Sequence, residues 1–271
     1  MNAAAVDELS TRLLQAWDGA SLTAPLSRDT EGFDLPAAWQ VAQHLMQRRL
    51  ARNEAIAGWK IGFTNRSIWD RYGVHAPIWG PVWRAGLHLL EHSQASVSLG
   101  GLCQPRLEPE IVFGFGSTPR AGMGLDELRD CIEWVAHGFE IVHTHFEGWQ
   151  FTAPDTVADF ALHGRLLVGP RVPAAGWERM AEDLAALRIE LLQDGRPRDT
   201  GQGRVVLDGP LHALQHWLRA MAEHTPQWRV EPGHVVTTGT LTDAWPLQPG
   251  QRWQTRLSQP LLNGLSLAIE P

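Results

Sequence analysis

From about residue 56 the chain is written in short apolar runs broken by Gly and Pro: AIAGWKIGF, PEIVFGFG, GFEIV, RLLVG, LRIELL, HVVTTGTL, RWQTRL and LSLAI. Runs of this length and texture read as β-strands. Asp194-Gly195 and Asn263-Gly264 carry the turn chemistry of hairpins. Helical pieces at about 125–137, 155–163, 176–184 and 209–224 interrupt the runs, with no regular alternation of strand and helix. That pattern argues against a doubly wound sheet. It predicts an α+β fold, a mixed or antiparallel β core with helices packed on it.

The first 55 residues are different. Val6, Leu9, Leu13, Leu14 and Trp17 recur at helical spacing. A Pro/Gly/Ser/Thr/Asp loop over roughly 18–35 separates them from a second helix. Pro36 suits the first turn of that helix, and Trp39, Ala42, Leu45, Met46 and Leu50 share one side of it. The predicted organisation is a helical N-terminal part, 1–55, and a larger domain, 56–271.

Composition enters through what it excludes. A chain that is 44% apolar and 20% charged is globular. Net charge −7 without a basic block argues against nucleic acid as a partner. No apolar run reaches the ~18 residues of a membrane helix. The start of the chain, with Asp7 and Glu8, lacks the basic and apolar regions of a signal peptide. Two cysteines, Cys103 and Cys131, are too few for a disulfide framework. A cytoplasmic location is expected.

Lys and Arg together number 23, and only Lys60 is a lysine. It lies in Gly58-Trp59-Lys60-Ile61-Gly62-Phe63, where glycines permit close backbone approach and the neighbours are apolar. Desolvation there lowers an amine's pKa and suits it to proton transfer. A strand lysine reaching solvent is the plainer alternative. It is weakened because every other such cation is Arg.

Glu108-Pro109-Glu110 precedes Ile111, Val112 and Phe113. On a strand the two glutamates share a face, while Ile111, Phe113 and Phe115 point the other way. Two carboxylates side by side repel unless a cation lies between them, and Mg²⁺ or Ca²⁺ takes oxygen ligands. A solvated edge with two unrelated glutamates is the alternative. Glu140 sits inside the apolar run Gly138-Phe139-Glu140-Ile141-Val142, where a lone carboxylate is costly unless paired or metal-bound. Three carboxylates would leave about three positions of an octahedral Mg²⁺ for water or substrate.

Other features are weaker. Tyr72 to Trp83 reads as a Pro/Gly-rich loop whose Trp79 and Trp83, with Trp69 before it, either line an apolar pocket or pack in the core. His137, His143, His145 and His163 bracket Glu140 but form no established zinc spacing, and read as ordinary polar residues. Val236-Thr-Thr-Gly-Thr-Leu241 reads as a strand entering a Gly turn, where backbone N–H groups and Thr240 could hold an anion.

Taken in order, these stretches resemble the fumarylacetoacetate hydrolase superfamily. The similarity is to the branch of 2-hydroxypenta-2,4-dienoate (2-keto-4-pentenoate) hydratases and 4-oxalocrotonate decarboxylases. GWKIGFT, PRLEPEIVFGF, FEIV, DTVADFALHGRLLVG and HVVTTGTLTDAWPLQPG carry it, over roughly residues 56–270. The resemblance implies a mixed β-roll or barrel with surrounding helices and a helical N-terminal part. It implies Mg²⁺ or Mn²⁺ on Glu108, Glu110 and Glu140, Lys60 as the active-site lysine, and a homo-oligomer. The implied reaction is hydration of a 2-hydroxydienoate or 2-oxo acid, in which the metal stabilises an enolate and Lys60 shuttles a proton.

The chain departs from the family pattern at several positions. Ile78 replaces the loop Asp, and Phe160 and Leu162 replace an Asn and a Ser. His143-Thr144-His145 replaces Asp-Ser-Arg. Ile78, Trp79, Phe160, Leu162 and Thr240 are thus the expected substrate-facing positions, in an unusually apolar pocket. Decarboxylation, tautomerisation or C–C hydrolysis of a related oxo acid is the alternative outcome. Binding of an oxo acid without turnover is the non-enzymatic one.

Overall fold

The protein is described as a computed structural model covering residues 1–271, with the side chains of residues 71 and 72 outside the described set. The Tyr72 end of the expected loop therefore lies outside the described residues. Two long helices open the chain, Ala3–Gly19 and Leu35–Leu50. The Asn2 side chain caps the first by accepting the Ala5 N–H, and Asp34 caps the second by accepting the Ala37 N–H, both at 2.9 Å. Such caps contribute about 1 kcal/mol each. Pro36 occupies the first turn of the second helix, where its missing N–H costs nothing. No helix among the described residues is long and apolar enough to cross a membrane.

The strands are β1 (Ile56–Gly62), β2 (Ile78–Trp83), β3 (Leu87–Leu89), β4 (Gln94–Val97), β5 (Arg106–Phe115), β6 (Ile132–Val142) and β7 (His163–Val168). They continue with β8 (Val172–Pro173), β9 (Arg188–Gln193), β10 (Arg196–Gln202), β11 (Val235–Thr237), β12 (Trp245–Pro246), β13 (Arg252–Leu257) and β14 (Ser266–Ile269). A curled mixed sheet has the order β2-β1-β11-β5-β6-β7-β3, with β12 on β5 and β8 on β6. A second sheet runs β10-β9-β13-β14-β4. This is the expected α+β half-barrel.

The apolar residues divide into clusters along the length of the strands. Ile111, Phe113 and Phe115 of β5 join Leu9, Leu13, Val41 and Leu45 of the N-terminal helices in one continuous core. Leu107, Phe139 and Ile141 turn to the second sheet and pack with Leu191, Trp253 and Leu267. Trp39 of the Leu35–Leu50 helix stacks on Trp79 of β2 at 4.3 Å between ring centroids.

Three sequence expectations are corrected. The helix read at about 125–137 is only Leu125–Arg129, and β6 begins at Ile132. The ladder with β5 claims those residues, an instance of long-range pairing overriding local propensity. The stretch read as loop up to Trp83 contains β2, buried throughout and antiparallel to β1. Pro81 is tolerated there because β2 is the last strand of its sheet. Asp194-Gly195 does turn the β9–β10 hairpin, with both residues at positive φ. Asn263-Gly264 does not turn a tight hairpin. It lies in the connection from β13 to β14, and a Cβ at Gly264 would meet the Thr255 carbonyl at 2.1 Å.

Candidate active site

The β5–β6 ladder sets Glu108 directly opposite Glu140, and Glu110 opposite Gly138. Facing residues of an antiparallel pair share a side. The third glutamate thus arrives beside the two that strand alternation had already aligned. Carboxylate oxygens of all three lie within 4.8 Å of one another. Glu110 and Glu140 are fully buried and Glu108 is half-buried.

Two of these carboxylates are half used. One oxygen of Glu110, Oε2, accepts the Gly239 N–H at 2.7 Å and the Thr237 hydroxyl, while Oε1 is buried without a partner. Glu140 Oε1 accepts the His163 Nδ1–H at 2.8 Å and faces Lys60 Nζ at 3.3 Å, while its Oε2 is likewise unpartnered. Each is oriented by protein donors through one oxygen and leaves the other free. Buried acceptors are rarely left unpaired. A hard divalent cation fits this donor set.

The electrostatics agree. Burial, then Glu140 and Glu108, push Glu110 well above the ordinary carboxylate range. Burial raises Glu108 against the pull of Lys60 and Arg106. Burial raises Glu140 to about 7. Without a cation, burial and mutual repulsion both favour the protonated forms.

Lys60, on β1, is 4% exposed, and its Nζ donates to the Ala161 carbonyl at 2.8 Å. The expectation of a lowered lysine pKa is corrected. Burial is the largest single influence and pushes it down, but Glu140, Glu108 and Glu110 together outweigh it and the net direction is up. Its acceptor, Ala161, is the middle of three consecutive non-glycine residues at positive φ: Phe160 at 53°, Ala161 at 52° and Leu162 at 64°. The left-handed region costs such residues roughly 1–2 kcal/mol each. Leu162 N–H to the Asp159 carbonyl and His143 N–H to the Leu162 carbonyl, both 2.9 Å, hold this turn in place.

A cavity of about 440 Å³ opens over the cluster, with Lys60 and Glu108 lining its base. Ile78, Leu162 and Thr240 line it, together with Phe63, Arg106 and Trp149. The Thr240 hydroxyl is engaged locally, donating to the Thr242 carbonyl at 2.9 Å. Trp79 and Phe160 do not line the cavity. Alternation along β2 turns Ile78 inward and sends Trp79 to Trp39, with its indole N–H on the Thr225 hydroxyl. The Phe160 ring packs with Trp17, Trp83 and Arg49 behind the turn. A wider, more open groove of about 820 Å³ beside β9, β10 and β13 includes none of the three glutamates.

Sequence reasoning missed His163, Thr237 and Gly239 as orienting groups. The Thr-Thr-Gly-Thr turn does hold an anion through a backbone N–H, but the anion is Glu110 itself and the hydroxyl is that of Thr237, not Thr240. Gly239 is at φ 105°, and a Cβ there would sit 1.8 Å from the Thr64 hydroxyl. Only glycine brings this N–H onto the carboxylate.

No family model matches the chain. Among curated proteins it is 27% identical over 249 residues to 2-hydroxyhexa-2,4-dienoate hydratase of Comamonas testosteroni, covering 92% of each chain. It is 27% identical over 243 residues to 4-oxalocrotonate decarboxylase of a Pseudomonas species, covering 89% of this chain and 91% of that one. The fold superposes on a 4-oxalocrotonate decarboxylase from Pseudomonas putida G7, solved with magnesium and adipate. The TM-score is 0.89 at 23% identity, over 99% of this chain and 98% of that one. With the five ordered motifs and the half-barrel, these similarities converge on one conclusion: over nearly its whole length the chain is similar to the 2-keto-4-pentenoate hydratases and to 4-oxalocrotonate decarboxylase, and it shares the latter's fold.

Proposed function

We propose that this protein is a divalent-metal-dependent lyase that adds water to a 2-hydroxydienoate or 2-oxo acid. The observation that carries the reading is the pair of half-used carboxylates, Glu110 and Glu140, beside a buried lysine at the base of a cavity. Glu108, Glu110 and Glu140 would hold the ion, with Mg²⁺ the proposed occupant. When bound, such an ion supplies Lewis-acid polarisation of the substrate's carboxylate and 2-oxygen.

The chain's own groups do the rest. Thr237, the Gly239 N–H and His163 hold the carboxylates in fixed orientation. Lys60 carries a proton to and from the carbon skeleton, kept in place by the Ala161 carbonyl and Glu140. Ile78 and Leu162 exclude water from the substrate's far end and favour an apolar tail over a polar one.

Lys60→Arg keeps the charge and removes the accessible proton. It should retain the metal and lose turnover by about 10²–10⁴-fold, the usual weight of a general acid–base group. Near-normal turnover would remove Lys60 from the reaction. A second outcome, decarboxylation, is favoured by the replacement of polar pocket residues by Ile78 and Leu162 and by the similarity to a decarboxylase. Product analysis separates the two: carbon dioxide release without hydrated product would assign the decarboxylase reaction.

A further inference from the structure

Behind the turn that holds Lys60 lies a second group of ligating side chains with different chemistry. Cys103, His143 and His145 present a sulfur and ring nitrogens within 4.8 Å of one another, and all three are buried. The His143 and His145 rings meet edge to face, 4.7 Å between centroids.

His145 is the most informative of the three. Its Nδ1 donates to Asp159, at 2.9 Å from Oδ2 and 3.0 Å from Oδ1, and the Trp17 indole N–H donates to the same carboxylate at 2.8 Å. That fixes the proton on Nδ1 and leaves Nε2 with a lone pair. His145 is 0% exposed, and its Nε2 has no hydrogen-bond partner. A histidine locked by a carboxylate on one nitrogen with its other lone pair bare is the arrangement protein metal sites use. His143 accepts the Cys103 N–H on Nδ1 at 3.2 Å, which places its own proton on the unpartnered Nε2, so ligation through either nitrogen gives up that one weak hydrogen bond.

The cradle is well built. The Thr144 N–H donates to the Cys103 carbonyl at 3.1 Å, and the Gln104 amide donates to the Thr144 and Phe146 carbonyls at 3.2 and 2.9 Å. The Cys103 loop and the segment after β6 are thereby fastened together.

We propose that Cys103, His143 and His145 form a zinc site, separate from the glutamate cluster. Thiolate and imidazole select a borderline-soft ion over Mg²⁺. Binding replaces the Cys103 thiol proton and leaves both imidazoles neutral, so one proton is released per ion. Zn²⁺, the thiolate and the Asp159 carboxylate then sum to zero charge, which a buried site requires. Bonds of roughly 2.0–2.3 Å need only a modest contraction of the present spacing, and water completes four-coordination. The ion braces the Cys103 loop, the end of β6 and, through Asp159, the turn behind Lys60. This proposal does not rest on the lyase reading.

The test uses the full-length protein, stripped of metal and then dialysed against zinc with Mg²⁺ in excess. One zinc per chain is expected in the unmodified protein and in Glu110→Gln, and none above background in Cys103→Ser or His145→Gln. Zinc that stays with both of these variants and leaves with Glu110→Gln would overturn the site. Cobalt needs no variant: Co²⁺ in the unmodified protein should give an intense near-ultraviolet thiolate charge-transfer band. Absence of that band, or its persistence in Cys103→Ser, overturns the proposal.

Discussion

The base and the wall of the same cavity are built in opposite ways. The base is three glutamates on two paired strands, oriented by donors that strand register brings to them. The wall near Lys60 is Ala161 and Leu162, two of three successive residues held in the left-handed region. The turn supplies one carbonyl to Lys60 and offers Leu162 to the cavity. The resemblance read from the sequence implied the three glutamates of the base, while Ile78 and Leu162 of the wall are positions where the chain departs from it.

The sharpest way to break this contrast is at the base. Glu110→Gln keeps the Thr237 and Gly239 hydrogen bonds through its amide oxygen and removes one negative charge. Turnover should fall by about 10³-fold, the scale of losing a main electrostatic stabiliser. The metal-free protein should gain stability, since three buried carboxylates no longer compete. Each kcal/mol relieved raises the melting temperature by roughly 2–4 °C in a chain of this size. A drop in metal-free melting temperature would show that Glu110 is not repelled by its neighbours.

At the wall, Leu162→Ser should leave metal binding intact and lower kcat/KM for an alkyl-tailed substrate about tenfold relative to an unsubstituted one. An unchanged ratio, measured across a substrate panel, would take Leu162 out of tail recognition. The smallest effect is at Ala161. Ala161→Gly removes the left-handed penalty and should stabilise the folded protein by about 1 kcal/mol, less what glycine adds to the unfolded chain's entropy. A thermal melt measures it, and a clear loss of stability would mean the turn is not strained at that residue.

The base was largely legible in the sequence and the wall was not, for physical reasons. Alternation along one strand is local, so Glu108 and Glu110 could be aligned by counting. Glu140 could be flagged as a carboxylate among apolar residues, but its placement opposite Glu108 depends on a ladder spanning 32 positions of sequence. His163 and Gly239 meet their carboxylates across 23 and 129 positions, so the anion expected at the Thr-Thr-Gly-Thr turn could not be identified as Glu110. The wall depends on three successive positive φ angles at Phe, Ala and Leu, residues with no preference for that region. That turn also explains why Phe160 left the expected pocket: its ring points to Trp17 and Trp83 while its neighbour Leu162 faces the cavity. The strand expected from 56 onward was read correctly, whereas β2 was hidden by its Gly and Pro content.

The indole of Trp17 reaches from the first helix to Asp159, the residue immediately before that turn. This ties the order in which the molecule comes apart to what it can do. A helix packed outside the central sheet is the sort of element that opens sub-globally, before the sheet itself. When the Ala3–Gly19 helix detaches, Asp159 loses a donor and the left-handed turn loses the ring that backs Phe160. The Ala161 carbonyl then drifts from Lys60 while β5 and β6 still hold the glutamates in register. Mild heating or dilute denaturant should therefore silence the protein while its sheet, and its affinity for a hard cation, persist.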